Sequence, residues 1–481
     1  MAKKMRFTLL AQDEVSSMYD KCVEFLSTRG ILVENHPQAL EMLEKAGAIV
    51  NHDNGIIRYT RDIIEKALST APRSFTLAGA TEKHDLPLPH PDGLFYVRTI
   101  TGVHDILDPD TNTYRPTTIA DVADWAQLVQ VLDNVDICLY PTPRDVPEAT
   151  ADVHGLRTLL NNTAKHITIQ PFSHGSVEYQ IKQAQVVAGG VEALKKRPII
   201  SMLSCPMVPF ALKGMDVEVI IQCGRAGVPV SANPLPNTGG TSPATIAGTV
   251  IQNGIEILNI LVMLQLLTPG APLIGQPNFY TMDMRTGRCM VGNVESQLGA
   301  AASAQFIKEA FHIPSWTWGL GSDSFLPDAQ SGIEKMLGGM LVAGVGADIL
   351  AGAGFLDSGK ACSPAQLIID NDMVAILKRA MAGVKVNEDT MAFQELLDTP
   401  PLGNYLEQAH TLKHCRDGLH SDLFSGESRD NWLAEGGKDA FARATDKYKE
   451  LRKRLEPLGL SADIKEELNR IVSEADQCLV K

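Results

Sequence analysis

Short apolar runs alternate with longer amphipathic segments through the middle of the chain. The runs are rich in β-branched and aromatic side chains, which is typical of buried strands. They cover residues 95–99, 137–140, 167–170, 199–203, 228–231, 273–276, 315–318 and 348–351. The segments between them carry apolar residues at helical spacing and cover residues 119–132, 150–161, 177–194, 215–225, 243–267, 294–311, 333–345 and 363–381. The pattern predicts eight strands, each followed by a helix.

Strands that alternate with helices pair in parallel through right-handed crossovers. Eight units of about 25 to 40 residues match a closed TIM (β/α)8 barrel in number and length. The alternative is a doubly wound open sheet, which usually carries a glycine-rich fingerprint after its first strand. No GxGxxG motif occurs in the sequence. We therefore predict an α/β fold built on the barrel.

The pattern differs on both sides of the barrel segment. Helical spacing at residues 12–29 and 37–46, and a hairpin signal around Asp53-Asn54-Gly55, predict an N-terminal appendage over residues 1–93. A second hairpin is predicted from residues 103–107 and 113–115, inside the barrel segment 94–396. Residues 397–481 carry many charged side chains at helical spacing, which predicts a C-terminal helical extension with a break at Pro457 and Gly459.

Composition and charge exclude several classes of partner. The chain has 481 residues, 44% of them hydrophobic, and a net charge of −14. An acidic protein is a poor match for nucleic acid or for an anionic membrane, because both require a basic face. The longest apolar stretch, residues 255–267, is shorter than the ~20 residues that span a bilayer, so we expect a buried or interface helix. That helix and the charged extension predict a homo-oligomer.

The cysteines are scattered. The eight residues include no CxxC pair, which excludes zinc ribbons, iron–sulfur motifs and redox dithiols. No His, Asp and Glu trio has evident metal-ligand spacing, so we predict that the chain itself binds no metal. With no secretory segment apparent at the start, the thiols predict a reducing cytoplasm.

Candidate chemistry follows from the barrel, because reacting groups in this fold lie at the carboxyl ends of the strands. Paired carboxylates are not evident there, whereas aromatic and amide side chains are. Trp316 and Trp318 are two of four tryptophans and, two residues apart on one strand, face the same side. With Tyr96, Phe172, Tyr280 and Phe355 they can form an aromatic box for a quaternary ammonium cation, worth about 2 kcal/mol or more. Ordinary core packing is the alternative role of these rings.

Polar candidates at the same strand ends are Arg98, Gln170, His174, Asn233 and Gln276. Arg98 lies on a predicted inner strand, where a guanidinium needs a partner. A substrate carboxylate is one candidate partner and an internal aspartate is the other. For His174 a structural role is the more common one.

The seventh and eighth units carry a resemblance to a known family. Residues 316–324 read WTWGLGSDS, residues 327–335 read PDAQSGIEK and residues 347–354 read ADILAGAG. Together with the region of Gly102 to Asp105, these segments resemble the trimethylamine methyltransferase (MttB-like) family. The archaeal founders of that family carry pyrrolysine, whereas this sequence has standard amino acids only. It is therefore similar to the branch without pyrrolysine, which includes glycine betaine:corrinoid methyltransferases.

The resemblance implies a TIM barrel that moves a methyl group from a quaternary amine to the Co(I) of a separate corrinoid protein. Glycine betaine is then the expected substrate and dimethylglycine the product. The aromatic box would hold the ammonium group, and Arg98, His174, Gln170, Asn233 or Gln276 would hold the carboxylate. Carnitine, proline betaine and trimethylamine are alternative substrates. A zinc–thiol methyltransferase and a non-catalytic betaine-binding protein are the other functions considered.

Overall fold

The computed structural model describes residues 4–100 and 102–480. Its centre is a closed barrel of eight parallel strands, namely β1 (Tyr96–Thr99), β2 (Ile137–Cys138), β3 (His166–Ile169), β4 (Ile200–Ser204), β5 (Val230–Ala232), β6 (Leu273–Gly275), β7 (Trp316–Trp318) and β8 (Ile349–Ala353). Each strand pairs with its neighbours in the chain. The ring closes through a bridge between Gly275 and Ser315 and through the pairing of β8 with β1. The predicted barrel is confirmed.

A helix follows each strand. The eight are α1 (Ile119–Val131), α2 (Ala151–Asn162), α3 (Ser176–Ala188), α4 (Gly214–Ala226), α5 (Ile246–Leu267), α6 (Val294–Phe311), α7 (Ala329–Gly344) and α8 (Pro364–Met381). The helix predicted over residues 177–194 is divided, because Gly189 and Gly190 adopt positive φ angles, and a new helix covers Val191–Lys196. Helix α7 begins four residues before its predicted start, because the Asp328 side chain caps it by accepting from the Ser331 amide.

The N-terminal segment covers the apolar helix α5. Helices Gln12–Thr28, Pro37–Lys45 and Arg61–Thr70 pack against α5. The predicted hairpin is present as strands Ile49–Asn51 and Ile56–Arg58, joined by Ile31–Val33. Helix α5 is long and apolar enough to cross a membrane, but 83% of its most apolar window is buried inside the protein. Its composition therefore reflects a position in the core.

Some N-terminal elements were not predicted. They are the helix Arg61–Thr70 and a hairpin formed by Phe75–Leu77 and Leu86–Leu88, which is separate from the two predicted hairpins. The first barrel strand begins at Tyr96 and the eighth barrel helix ends at Met381. The domain boundaries at residues 93 and 396 stay predictions.

Two small sheets extend from the carboxyl end of the barrel. The predicted hairpin is observed as Asp105–Leu107 and Tyr114–Pro116, and strands Phe355–Leu356 and Ala361–Cys362 join it. Strands Asn237–Thr238, Tyr280–Met282 and Cys289–Met290 form the other sheet. These sheets rise beside β1, β8 and β6 and form part of the wall around the barrel mouth.

The C-terminal extension is helical, as predicted. Its helices are Glu388–Met391, Phe393–Asp398, Ala409–His414, Arg429–Ala434, Ala440–Arg452 and Ala462–Leu479. Ala440–Arg452 packs on α8, and Ala462–Leu479 packs on α2 and α3. Pro457 and Gly459 lie between these last two helices, where the break was expected.

Candidate active site

Arg98 is a buried cation without a carboxylate partner. It lies near the carboxyl end of β1 with 1% of its surface exposed, and none of its three guanidinium nitrogens has a hydrogen-bond partner among the described residues. Burial lowers the pKa of Arg98 to about 9, against the opposing influence of the nearby Cys205 and Tyr280. The group therefore remains charged at neutral pH. An internal aspartate, the alternative partner, is not observed.

The guanidinium of Arg98 lies against the two tryptophans of β7. Its central carbon is 3.9 Å from the ring centroid of Trp316 and 5.5 Å from that of Trp318. The strand register aligns Trp318, Ala351 and Arg98 across β7, β8 and β1, and Trp316 lies two residues before Trp318 on the same face of β7. The cation–π attraction partly compensates the buried charge. A protein cation therefore occupies the face of Trp316 that was predicted to hold the substrate's ammonium group.

Hydrogen bonds fix both indoles inside the barrel. The Trp316 Nε1–H donates to Ser231 Oγ at 3.1 Å, and the Trp318 Nε1–H donates to the Tyr280 hydroxyl at 3.1 Å. The rings of Trp316 and Trp318 meet edge to face at 6.4 Å, and Phe355 packs on Trp318 at 5.2 Å. Trp316, Trp318, Tyr280 and Phe355 thus form one aromatic cluster beside Arg98.

Two predicted members of the aromatic box lie elsewhere. Tyr96 is at the amino-terminal end of β1, where its ring packs on His90 at 4.6 Å. It faces the same side of the strand as Arg98, but it is two residues nearer the bottom of the barrel. Phe172 is 37% exposed at the rim, where its ring packs so closely on Gly102 that a Cβ there would lie 2.6 Å from Phe172 Cζ.

A chain of amide groups lies at the ends of β4, β5 and β6. The Asn233 Nδ2–H donates to Cys205 Sγ at 2.9 Å, and Asn233 Oδ1 accepts from Asn278 Nδ2. The Gln276 Nε2–H donates to Asn278 Oδ1 at 3.5 Å. Gln276 is fully buried, and its Oε1 has no hydrogen-bond partner. Burial raises the pKa of the Cys205 thiol to about 12, so Cys205 keeps its proton.

The remaining predicted polar candidates differ in position. Gln170 follows β3, is half-buried and is engaged in an interaction within the protein. His174 is exposed on the next loop, close enough to Glu218 of α4 to influence the pKa of that carboxyl. The structure does not bring His174 into the Arg98 cluster. The cluster also includes Cys205, Ser231 and Asn278. The only sequence signal for these three residues is their position in a barrel strand or shortly after one.

A cavity of about 210 Å³ opens beside the rim. Phe172, His104, Thr142 and Arg144 are among its lining residues, which follow β1, β2 and β3. Thr142 Oγ1 is buried without a hydrogen-bond partner. The cavity therefore has polar lining groups, and it lies on the side of the barrel mouth next to β1, the strand that carries Arg98.

The motif residues after β7 support the fold around the site. Glu334 accepts from the Ser322 hydroxyl at 2.7 Å and from the Asp323 amide at 2.8 Å, which fixes the loop after β7. Lys335 is fully buried and pairs with Asp370 of α8 at 2.9 Å. These contacts join α7, α8 and the ends of β7 and β8. Segment 327–335 therefore has an architectural role.

Comparison with known proteins identifies the family. A family model described as trimethylamine methyltransferase (MTTB) matches residues 2–477. Trimethylamine methyltransferase MttB of Desulfitobacterium hafniense is 33% identical over 470 residues, covering 97% of this chain and 93% of that protein. MttB of Methanosarcina barkeri is 31% identical over 478 residues, covering 98% and 96%. Glycine betaine methyltransferase of D. hafniense strain Y51 is 26% identical over 472 residues, covering 98% and 97%. The chain therefore belongs to the trimethylamine methyltransferase family.

Proposed function

We propose that the protein demethylates a quaternary amine that bears a carboxylate, with glycine betaine as the smallest such substrate. The methyl group passes to the Co(I) of a corrinoid held by a separate protein. The observation that carries the proposal is Arg98, a fully buried cation that no carboxylate of the described residues neutralises. Buried polar groups without a hydrogen-bond partner are rare in folded proteins, and a role in ligand binding explains why one is present here.

The unpartnered guanidinium favours a substrate with a negative end. A guanidinium binds a carboxylate through two parallel N–H···O bonds, and both bonds strengthen in a buried site. Removing one member of a buried ion pair typically costs 3–5 kcal/mol, so free Arg98 has a strong tendency to bind an anion. Trimethylamine is protonated at neutral pH and has no carboxylate. Near Arg98 it would meet like charge without compensation.

The aromatic cluster supports the other end of the same ligand. In glycine betaine the ammonium nitrogen lies one carbon beyond the carboxylate. With the carboxylate on Arg98, the ring of Trp318, whose centroid is 5.5 Å from the guanidinium carbon, is positioned to attract the ammonium group. The two indoles then have different tasks: Trp316 supports Arg98 and Trp318 contacts the methylated nitrogen.

The chemistry requires positioning rather than proton transfer. Co(I) supplies the electron pair of the new carbon–cobalt bond, the N–CH₃ bond breaks, and its electron pair stays on nitrogen. The products are a tertiary amine, whose nitrogen is neutral and whose carboxylate keeps its charge, and methyl-Co(III). No proton moves, which agrees with Cys205 and Tyr280 near Arg98, both of which keep their protons because burial raises their pKa values. The chain's tasks are to orient the N–CH₃ bond and to exclude water. All eight cysteines are free, and the reducing cytoplasm stays a prediction.

The test is a spectral assay of methyl transfer to free Co(I) cobalamin with a panel of amines. Glycine betaine, carnitine and proline betaine carry carboxylates, whereas trimethylamine and tetramethylammonium do not. We expect methylcobalamin with at least one member of the first group and none with the second. Turnover of trimethylamine without turnover of any betaine would contradict the proposal.

The same assay separates the alternative functions. Tight betaine binding without methyl transfer, even when the corrinoid partner is supplied, would indicate a binding protein. A zinc–thiol mechanism has no support in the ligand set, because the described residues place no group of three or more His, Cys, Asp or Glu ligands at the mouth.

A further inference from the structure

Three side chains of metal-ligand type converge in the C-terminal extension, away from the barrel mouth. Asp389 lies on Glu388–Met391, and His410 and His414 lie one turn apart on Ala409–His414. One ligand atom of each lies within 4.8 Å of the others. Among residues 4–100 and 102–480, this is the one group of three or more His, Cys, Asp or Glu with such geometry. A pair of histidines four apart on a helix is a common metal-binding arrangement.

The separations fit a small tetrahedral ion. His414 Nε2 lies 3.3 Å from Asp389 Oδ2. Two ligands bound to zinc at about 2.0–2.1 Å with tetrahedral angles lie about 3.4 Å apart. The rings of His410 and His414 are 4.4 Å apart, and His410 Nε2 is 2.9 Å from the backbone oxygen of Asp389. A ligand nitrogen of His410 already lies within 4.8 Å of the ligand atoms of Asp389 and His414, so metal binding requires only that these three groups close together.

A second carboxylate orients His414. The Nδ1 atom of His414 is 2.6 Å from Asp417 Oδ2. When the carboxylate accepts the Nδ1–H, the lone pair of Nε2 is left for a metal. Histidine ligands of metals almost always donate their other ring N–H to a carboxylate, a backbone carbonyl or a water. His414 Nε2 faces Asp389 Oδ2 in an ion-pair contact and forms no hydrogen bond of regular geometry among the described residues.

We propose that Asp389, His410 and His414 bind one divalent transition-metal ion of the zinc type and that the ion fastens the segment between α8 and Ala440–Arg452. The segment lacks a core of its own: Phe393, Leu406 and Leu412 are 62%, 83% and 79% exposed. A metal that joins residue 389 to residues 410 and 414 closes a long loop and orders a segment that apolar packing does not order.

Lys413 is the competitor for this site. Its ammonium group contacts Asp389 and takes the place that a cation would occupy. Metal binding must therefore displace Lys413. Removal of the lysine should strengthen metal binding, whereas a purely structural Lys413–Asp389 ion pair would give no such effect.

The experiment titrates the full chain, stripped with chelator, with Zn²⁺ by calorimetry and with Co²⁺ by visible absorption. We expect one ion per chain with tetrahedral Co²⁺ bands, and a loss of about 100-fold or more in affinity for His414→Ala. Asp417→Asn should lose about 10-fold or more, and Lys413→Ala should bind several-fold tighter. The control is His420→Ala, an exposed histidine of the same segment outside the group, which should match the wild type.

Limited proteolysis gives a second readout. Saturating Zn²⁺ should slow cleavage between residues 385 and 418 in the wild type and in His420→Ala, but not in His414→Ala. Wild-type protein without saturable binding, or equal affinities for wild type and His414→Ala, would overturn the proposal.

Discussion

At the residue scale, the lack of an ion-pair partner among the described residues supports the proposed ligand-binding role of Arg98 over a structural one. A charge that holds the fold together has a partner, and its loss destabilises the protein. Arg98 stacks on Trp316 but forms no ion pair among the described residues. Burial of the unpaired guanidinium therefore lowers the stability of the folded protein. Such a loss of stability is expected where a binding site needs an unpaired buried group.

This cost gives a prediction for stability. Arg98→Met keeps the aliphatic stem against Trp316 and removes the unpaired charge. We expect its free energy of unfolding in urea to equal or exceed the wild-type value, while betaine binding is lost. Lys335→Met is the contrasting variant, because it leaves Asp370 unpaired and should cost about 3–5 kcal/mol. An Arg98→Met variant as unstable as Lys335→Met would mean that Arg98 has a structural role.

Strand parity and position at strand ends made Arg98, Trp316 and Trp318 site candidates, and the structure places these three side chains together. These patterns did not predict that Arg98 lies on Trp316, because this contact depends on the register of β8 with both β7 and β1. The same limit applies to Tyr96, whose depth in the barrel depends on strand tilt. The His-x3-His spacing of His410 and His414 is present in the sequence. The third proposed ligand, Asp389, lies 21 residues before His410, so sequence spacing alone does not reveal the group.

At the element scale, periodic segments were predicted to within a few residues and aperiodic ones were not. Helix α6 matches its predicted bounds, because its apolar pattern runs to both ends. Helix α7 begins with Ala329, Gln330, Ser331 and Gly332, which carry no apolar period, so only the Asp328 cap marks its start. The helix Arg61–Thr70 is the exception: Ile63, Ile64, Ala67 and Leu68 recur at helical spacing and Thr60 caps its start, so the sequence carried the signal although the helix was not predicted.

Helix α5 provides a prediction for pH dependence. Glu256 is 2% exposed, accepts from the Phe210 amide at 3.3 Å, and has one oxygen without a partner. Burial raises the pKa of Glu256 to about 8. The folded state therefore holds the proton more tightly than the unfolded state, in which the pKa is about 4.3. The contribution of Glu256 to stability is intact below the unfolded pKa and falls as the pH rises towards 8.

Glu256→Gln removes this titration. We expect the variant to gain stability relative to wild type by up to about 1.4 kcal/mol per pH unit between about pH 5 and pH 8. Urea unfolding at pH 5, 6.5 and 8 measures the difference. The control is Glu466→Gln at an exposed site, which should show no such trend. A difference between wild type and Glu256→Gln that does not change with pH would contradict the assignment.

At the scale of the whole molecule, the eightfold alternation was the strongest sequence signal. Its repetition made the barrel predictable although single strands such as β2 have two residues. The segments that depend on non-repeating tertiary contacts, such as the hairpin Phe75–Leu77 with Leu86–Leu88, were not predictable in this way. The homo-oligomer stays a prediction, and the exposed apolar side chains between Val384 and Leu433 favour it.

The fold of the whole chain brings the Arg98 guanidinium together with the rings of Trp316, Trp318, Tyr280 and Phe355 inside a closed barrel. The barrel supplies rigidity, the loops after its strands supply the wall, and the N-terminal helices cover the apolar surface of α5. Relatives named for trimethylamine and for glycine betaine both match nearly the full chain, so family membership does not choose between the two substrates considered in the proposal. The distinction between these substrates therefore depends on whether Arg98 binds a carboxylate.

Calorimetry of ligand binding to wild type and Arg98→Gln tests this claim most directly, with tetramethylammonium as the ligand that lacks a carboxylate. We predict that wild type binds glycine betaine, that Arg98→Gln binds it about 100-fold or more weakly, and that tetramethylammonium binds the variant at least as well as wild type. Equal betaine affinity in both proteins, or tetramethylammonium binding to wild type as tightly as betaine, would contradict the account.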